Sequence, residues 1–281
     1  MKDRIRALIG ARRLRWLGRG RWIAKYRLMR RYGGRLRDDP VHGLAYVLWD
    51  PELESHSYEL DNEGELVAFV HELVGAAPSD AAAWIMETKD DPELTTQLAR
   101  HIGMRLDAKR RQPLGNRVLW YVLVRATRPR LIVETGIHDG LGSLALLRAL
   151  ERNAEEGADG ELLSIDTNPD AGWFVAERLH GRWQRVTGYT SEVLRPALAG
   201  REVGVLFQDT PHTYDNQTHE YRAALDHAAD RLVLVDGGGG QSAALADLVA
   251  EHGGRRAVFY ERPRHHFRPG TGTAVGVFDR G

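Results

Sequence analysis

The sequence predicts an α/β fold with a doubly wound, mostly parallel sheet of seven strands and a small, mainly helical region before it. From Pro113 onward, short apolar runs alternate with helical patterns, which is typical of parallel strands joined by right-handed crossovers. The last two runs have no helix between them, which predicts an antiparallel hairpin at the end of the sheet. A glycine-rich turn follows the first run, and such a turn in an open sheet indicates a ligand site.

Each predicted strand is a short apolar run bounded by polar or turn residues. The predicted strands are 131–135, 161–166, 183–188, 203–209, 231–237, 256–261 and 273–278. The helical patterns between them are 142–152, 171–181, 190–199, 215–229 and 241–252. A further helix, at 116–127, precedes the sheet and ends before Pro129, because proline cannot continue a helix. Residues 113–281 therefore form the main predicted domain.

Residues 41–112 are predicted to form a small helical region on the substrate side of the main domain. Short strands are expected at 46–50 and 55–60, and helices at 61–75, 79–89 and 92–106. Gly75 ends the first of these helices, and Ser79 with Asp80 is predicted to cap the second.

A basic arm, defined as residues 1–40, precedes this region. Residues 1–38 carry 14 Lys and Arg against Asp3 and Asp38, a net charge of +12, and the rest of the chain carries −12. Such a split predicts contact with an anionic surface. Three partners stay open: the protein's own body or a neighbouring subunit of a homo-oligomer, an anionic membrane surface that Trp and Leu side chains would enter, and, least favoured, nucleic acid.

The composition excludes several classes of protein. The 281-residue chain has no cysteine, which excludes disulfides, thiolate nucleophiles and thiolate zinc sites. No apolar run approaches the ~20 residues that span a bilayer, and the first residues lack the apolar core of a signal peptide. These features predict a cytoplasmic protein, peripheral to a membrane if the basic arm binds lipid.

The turn "LIVETGIHDGLGS", at 131–143, combines a carboxylate with three glycines. Their order is G-x-x-x-G-x-G rather than the G-x-G-x-x-G of dinucleotide-binding turns, and Glu134 would repel a diphosphate. S-adenosylmethionine has no phosphate, and its ammonium and sulfonium are cationic, so it suits Glu134. Gly136 would let the backbone approach this ligand. Asp166 ends the next predicted strand, where an acid can accept hydrogen bonds from ribose hydroxyls.

On these residues, 113–281 resembles the class I S-adenosylmethionine-dependent methyltransferases, which have a Rossmann-like sheet with an antiparallel end hairpin. "VETGIHDGLGS" is similar to their first motif and "SIDTNP" to their second. "VLFQDTPHTYDNQTHEY" and "LVLVDG" further resemble the branch that contains macrocin- and novobiocin-type sugar O-methyltransferases and cephalosporin-hydroxylase-like proteins. The expected cofactor-binding residues are Glu134, Gly136, His138, Gly140, Ser143, Asp166, Thr190 and Asp209.

The sequence departs from that branch at two positions. Asp209, His212 and Tyr214 match its D-G-D-H-S-Y pattern, but Pro211 replaces the second acid. Asp236 matches the first of a later acid pair, which the resemblance implies would bind a divalent cation such as Mg²⁺. Gly237 replaces the second acid of that pair, so a metal site formed by Asp209 and Asp236, with His212 as a third candidate ligand, stays an open alternative to a metal-free site.

The resemblance implies methyl transfer to a hydroxyl of a sugar-containing small molecule or glycan. His212, with Asp209 beside it, is the expected catalytic group, because an unperturbed imidazole accepts protons near neutral pH. A structural role for His212 is the competing interpretation. Substrate contacts are expected from Tyr214, His265 and His266. Two other functions stay open: a catalytically inactive cofactor-binding protein and an RNA methyltransferase that uses the basic arm.

Overall fold

The computed structural model describes residues 58–102, 114–173, 175–264 and 270–280, without the side chains of 99–102. The basic arm, the predicted strand at 46–50, and both His265 and His266 lie outside the described residues.

Seven strands form one sheet, as the sequence predicts. In chain order they are β2 (Leu131–Thr135), β3 (Glu161–Asp166), β4 (Trp183–Thr187), β5 (Val203–Gln208), β6 (Ala228–Asp236), β7 (Arg255–Phe259) and β9 (Thr273–Asp279). Their spatial order is β4-β3-β2-β5-β6-β9-β7, and β9 is antiparallel to both of its neighbours. The doubly wound, mostly parallel sheet with an antiparallel end is therefore confirmed. A separate ribbon pairs β1 (Glu59–Leu60) with β8 (Pro263–Arg264).

Eight α-helices are described around the sheet. They are α1 (Glu63–Val74), α2 (Pro78–Asp90), α3 (Pro92–Ile102), α4 (Arg117–Thr127), α5 (Leu141–Glu155), α6 (Thr190–Leu198), α7 (Tyr214–Asp226) and α8 (Ala243–His252). None of the helices in this described part is long and apolar enough to cross a membrane.

Each face of the sheet has its own apolar core. Helices α1 to α5 supply the core on one face, and α6 to α8 supply most of the helical part of the other. Helix α4 is buried from Val118 to Arg125, because it lies between the sheet side and helices α1, α2 and α5. A helix that is apolar all round is stable only in such a position. The guanidinium of Arg125 is satisfied there by Glu87, Asn153 and Glu156.

Two local predictions were wrong. The segment 171–181 forms turns and a short 3₁₀ helix at Glu177–Arg182, because Gly172 adopts a φ of 79° that interrupts an α-helix. Helix α2 begins at Pro78 with Ala77 as its N-cap and no side-chain cap, so Ser79 and Asp80 lie inside it. Of the predicted strand 55–60, Glu59–Leu60 is a strand, and residues 55–57 lie outside the described residues.

The carboxyl ends of the central strands meet at one edge of the sheet. The N–H of Asp209 donates to the carbonyl of Thr135 at 2.8 Å, and the N–H of Gly237 donates to the carbonyl of Gln208 at 2.8 Å. The strand order reverses around β2, which has β3 on one side and β5 on the other. Ligands of open α/β sheets bind at such a reversal. The residues that follow β2, β3, β5 and β6 therefore form one candidate site.

Candidate functional site

Glu134 is a buried carboxylate at the end of β2, with 1% of its surface exposed. Its Oε2 accepts hydrogen bonds from Ser143 at 2.6 Å and Ser164 at 2.7 Å. Burial raises its pKa to about 7, although both serines act in the opposite direction. A neighbouring cation would restore the charged form, so the site favours a ligand with a positive group.

The glycines beside Glu134 leave room that a side chain would fill. A Cβ atom at Gly142 would lie 2.8 Å from Glu134 Oε1 and 2.8 Å from the ring of Trp120. Gly136, at a φ of 88°, has a different role from the predicted approach to a ligand, because a Cβ there would lie 2.2 Å from the carbonyl oxygen of Asp209. Gly136 therefore allows the backbones after β2 and β5 to touch.

Asp166, at the end of β3, organises the glycine turn. Its Oδ2 accepts from the N–H groups of Ile137 at 2.8 Å and His138 at 3.0 Å, and its Oδ1 accepts from Asn168 at 2.8 Å. A carboxylate has about four acceptor positions, so one remains for a ribose hydroxyl. His138 itself has a φ of 53° and a side chain that is 94% exposed.

Asp166→Ala should weaken S-adenosylmethionine binding by about tenfold to a hundredfold, because a charge-assisted hydrogen bond contributes ~1.5–3 kcal/mol. Its three backbone partners predict that Ala also lowers the melting temperature. Asp166→Asn keeps an acceptor oxygen for the turn and should lose affinity with a smaller loss of stability. Calorimetry and thermal unfolding of both variants test this expectation. Wild-type affinity in Asp166→Ala would remove the ribose assignment.

His212, in the loop after β5, is held between two carboxylates. Its Nδ1 lies 2.8 Å from Gln208 Oε1 and 3.5 Å from Asp236 Oδ1, and its Nε2 lies 3.8 Å from Asp209 Oδ1. A Cβ at Gly238 would lie 2.2 Å from the His212 ring, so the ring packs directly on backbone.

Gln208 determines which nitrogen of His212 carries the proton. The Gln208 amide donates to Thr210 Oγ1 at 2.9 Å, which leaves its oxygen to accept from His212 Nδ1. With Nδ1 as the donor, Nε2 keeps the lone pair of the neutral ring on the Asp209 side. About 36% of the His212 side chain is exposed.

The charges in this cluster shift one another's pKa values. The hydrogen bond to Asp236 is the main cause that raises the pKa of His212, and Asp209 and Glu220 add to it. Burial works against the ionisation of Asp236, but hydrogen bonds, chiefly from His212 and Gly238, lower its pKa. Burial raises the pKa of Asp209, against the opposing effects of Arg117 and His212. Such perturbed groups in a cleft are typical of functional sites.

The hydrogen-bond donors that surround Asp236 do not fit a binding site for a divalent cation. Asp236 already accepts from Gln217 Nε2 at 2.7 Å and from the N–H of Gly238 at 2.8 Å. No group of three His, Asp or Glu side chains that could hold a metal is found in the part of the chain that the structure describes. A metal site with Asp209 and Asp236 as ligands would require Asp236 to lose both of these hydrogen bonds. No step of the reaction is therefore assigned to a metal ion.

A second layer of polar side chains supports the loop after β5, and sequence reasoning missed it. Glu220 is fully buried in α7 and accepts from Thr135 at 2.8 Å, from Thr210 at 2.8 Å and from Asn216 at 3.0 Å. Asn216 also donates to the carbonyl of Pro211 at 3.1 Å. The only sequence signal was the polar character of the inward face of this helix.

The structure brings together some predicted site residues and separates others. Glu134, Asp209, His212 and Asp236 share the carboxyl edge, with Asp166, His138 and Gly140 at the adjoining turn. Ser143 is fully buried and acts on Glu134 rather than facing a ligand. Thr190 begins α6 and lies 3.5 Å from Asn216. Tyr214 donates to Asp247 at 2.8 Å, on the side of α8.

Residues 133–236 match the model of a family described as a methyltransferase domain. The match runs from β2 to the end of β6 and includes the acids of the candidate site. That segment is therefore similar to a methyltransferase domain, in agreement with the class I S-adenosylmethionine-dependent methyltransferase that its motifs predict.

Similar solved structures include three bacterial proteins. A cofactor-bound protein from MTB is 19% identical, with 79% of this chain and 99% of that chain covered and a TM-score of 0.45. The O-methyltransferase TomG from Streptomyces achromogenes, involved in tomaymycin synthesis and bound to S-adenosylmethionine (SAM), is 17% identical, with 78% and 97% covered and a TM-score of 0.46. An O-methyltransferase from Bacillus cereus in complex with SAH is 13% identical, with 76% and 97% covered and a TM-score of 0.46. None of the curated proteins matches the chain.

Proposed function

We propose that the protein is an O-methyltransferase that methylates a hydroxyl of a sugar-containing small molecule or glycan. This proposal rests mainly on the His212 imidazole, whose Nε2 lies 3.8 Å from Asp209 Oδ1. Glu134 lies at the same carboxyl edge of the sheet. A cationic cofactor end and a hydroxyl acceptor would therefore meet beside one base. A cytoplasmic location, peripheral to a membrane if the arm binds lipid, belongs to the same proposal.

The chain's own residues supply positioning and a proton acceptor. When bound, the cofactor would supply an electrophilic methyl group. Glu134 would hold its ammonium, and Asp166 would hold its ribose. His212 Nε2 would accept the proton of the acceptor's hydroxyl, and Asp236 and Asp209 would stabilise the imidazolium that forms.

A direct experiment separates this function from its alternatives. Calorimetry with SAM should show binding, and a screen with radiolabelled methyl should label glycosides but not RNA. Binding without transfer to any glycoside would favour the inactive cofactor-binding protein, for which Pro211 and Gly237 argue. Transfer to RNA would favour the alternative that uses the basic arm. Absence of SAM binding would overturn the proposal.

We also propose that the basic arm contacts an anionic membrane surface, and its net charge of +12 over residues 1–38 supports this proposal. Full-length protein should bind anionic vesicles at low salt and lose this binding steeply as salt rises, because charges are screened over ~8–10 Å at physiological ionic strength. A chain that lacks residues 1–38 should bind the cofactor normally but not the vesicles. If the full-length protein binds neither vesicles nor nucleic acid, the basic arm docks on the protein itself or on a second subunit.

A further inference from the structure

Arg117, the first residue of α4, lies at the candidate site with most of its hydrogen-bonding capacity unused. Its Nε and Nη1 are buried and have no hydrogen-bond partner among the residues that the structure describes. Its Nη2 lies 3.9 Å from Asp209 Oδ2, which is an ion pair but too long for a hydrogen bond. Only 12% of its side chain is exposed.

The surroundings of Arg117 hold the guanidinium in place. Its Cζ lies 5.3 Å from the centre of the Trp120 ring, which is a cation–π distance. Trp120 also lines the space beside Gly142 and Glu134, so Arg117 and Glu134 border the same small region. Two unpaired nitrogens on a nearly buried guanidinium are unfavourable, and a bidentate carboxylate is the partner that its planar fork fits best.

The charges around this region match one chemical group. Glu134 and Asp209 are acidic groups, and the positive charge of Arg117 favours the ionised form of both. An α-amino acid carries an ammonium and a carboxylate on a single carbon. We propose that Arg117 binds the α-carboxylate of the amino-acid end of the cofactor, while Glu134 and Asp209 face its ammonium. This inference rests on the proposed function, which it extends to a specific recognition residue.

The competing interpretation is that Arg117 only balances the charges of Glu134 and Asp209. Two probes that differ by a single carboxylate separate the two interpretations: SAM and its decarboxylated form. A carboxylate contact makes the preference for SAM depend on Arg117. Charge balance alone would change the affinity for both probes together and leave their ratio unchanged.

Calorimetry on full-length wild type and Arg117→Gln tests the inference. Wild type should bind SAM about tenfold to a hundredfold more tightly than decarboxylated SAM, and Arg117→Gln should bind the two within about threefold of each other. Arg117→Lys keeps the positive charge but not the planar guanidinium, so its ratio of affinities for SAM and decarboxylated SAM should be intermediate. Arg128→Gln changes an exposed arginine at the other end of α4 and should keep the wild-type ratio.

The outcomes separate this inference from the proposed function. If wild type prefers SAM and Arg117→Gln or Arg117→Lys keeps the full preference, the carboxylate assignment is wrong and the proposed function stands. If wild type binds SAM no better than the decarboxylated form, the assignment is also wrong. If wild type binds neither probe, the proposed function fails together with it. Thermal unfolding of each variant checks that it is folded, and Arg117→Lys supports the same comparison if Arg117→Gln does not fold.

Discussion

Glu134→Gln should weaken SAM binding by about a hundredfold and, at the same time, stabilise the ligand-free protein at pH 8. The loss of affinity follows because a buried carboxylate that faces an ammonium is worth ~3 kcal/mol or more. The gain in stability follows because the pKa of Glu134 is raised from 4.5 to about 7 by burial. Between about pH 4.5 and pH 7 the folded state therefore holds a proton that the unfolded state has released, and at pH 8 wild type has a buried carboxylate that the glutamine variant lacks.

The sign of the stability change depends on pH. Below about pH 4.5 Glu134 is protonated in both the folded and the unfolded state, so its pKa shift does not change the free energy of unfolding. As pH rises towards 7, wild type loses stability relative to the glutamine variant, and above pH 7 the difference levels off at about 3 kcal/mol, from 1.36 kcal/mol for each pKa unit. Thermal unfolding at pH 5 and pH 8 measures it. Glu192→Gln, an exposed change in α6, is the matched control.

The same pKa controls cofactor affinity in wild type. Ammonium binding requires the carboxylate form, so affinity should be constant above pH 7 and fall by up to tenfold for each pH unit below it. Calorimetry in buffers of different ionisation enthalpy should detect proton release on binding at pH 6. Equal stability of wild type and Glu134→Gln at pH 8, or unchanged SAM affinity in the variant, would contradict the role of Glu134.

His212→Ala should lower kcat by about 10²–10⁴ with less than a threefold change in SAM affinity, because a positioned base contributes a factor of this size. In wild type, kcat should rise with pH as the imidazole loses its proton. That rise should lie above the ordinary value of 6.5, because Asp236 and Asp209 raise the pKa of His212. His227→Ala, at the opposite end of α7, is a matched control and should keep wild-type kcat.

Two outcomes would contradict this assignment. Near-full activity of His212→Ala on a confirmed acceptor would exclude it as the base. Loss of wild-type activity with a chelator, restored by Mg²⁺ and matched by Asp209→Ala and Asp236→Ala, would show that a metal activates the hydroxyl instead. The hydrogen bonds that already occupy Asp236 lead us to expect that a chelator has no effect.

The sheet was predictable because its strands are short apolar runs with distinct boundaries. The bounds of β2 and β3 agree with the prediction to the residue, since Glu134 and Asp166 interrupt the apolar pattern at the strand ends. The predicted helix at 171–181 failed for a physical reason. Ala171 and Val175 are buried, but they pack as part of an irregular loop, and burial alone does not distinguish a loop from a helix.

The candidate site was most predictable where a residue lies at the carboxyl end of a strand or directly after it. Glu134, Asp209 and Asp236 belong to that class. Arg117 does not, because its position depends on how α4 packs against β5, where Trp120 contacts Phe207, and sequence spacing does not encode that packing. Gln208 was missed because it resembles an ordinary strand residue until the His212 ring is placed next to it.

The glycines after β6 have an evolutionary consequence. A Cβ at Gly237 would lie 3.0 Å from Asp209 Oδ1, so an aspartate there would bring a third carboxylate against the two already present. A Cβ at Gly238 would overlap the His212 ring. An acid at position 237, as in the branch that this sequence resembles, would therefore require the Asp209 carboxylate to move. A side chain at position 238 would require the His212 ring to move, so any enlargement of either glycine changes the position of a group in the candidate site.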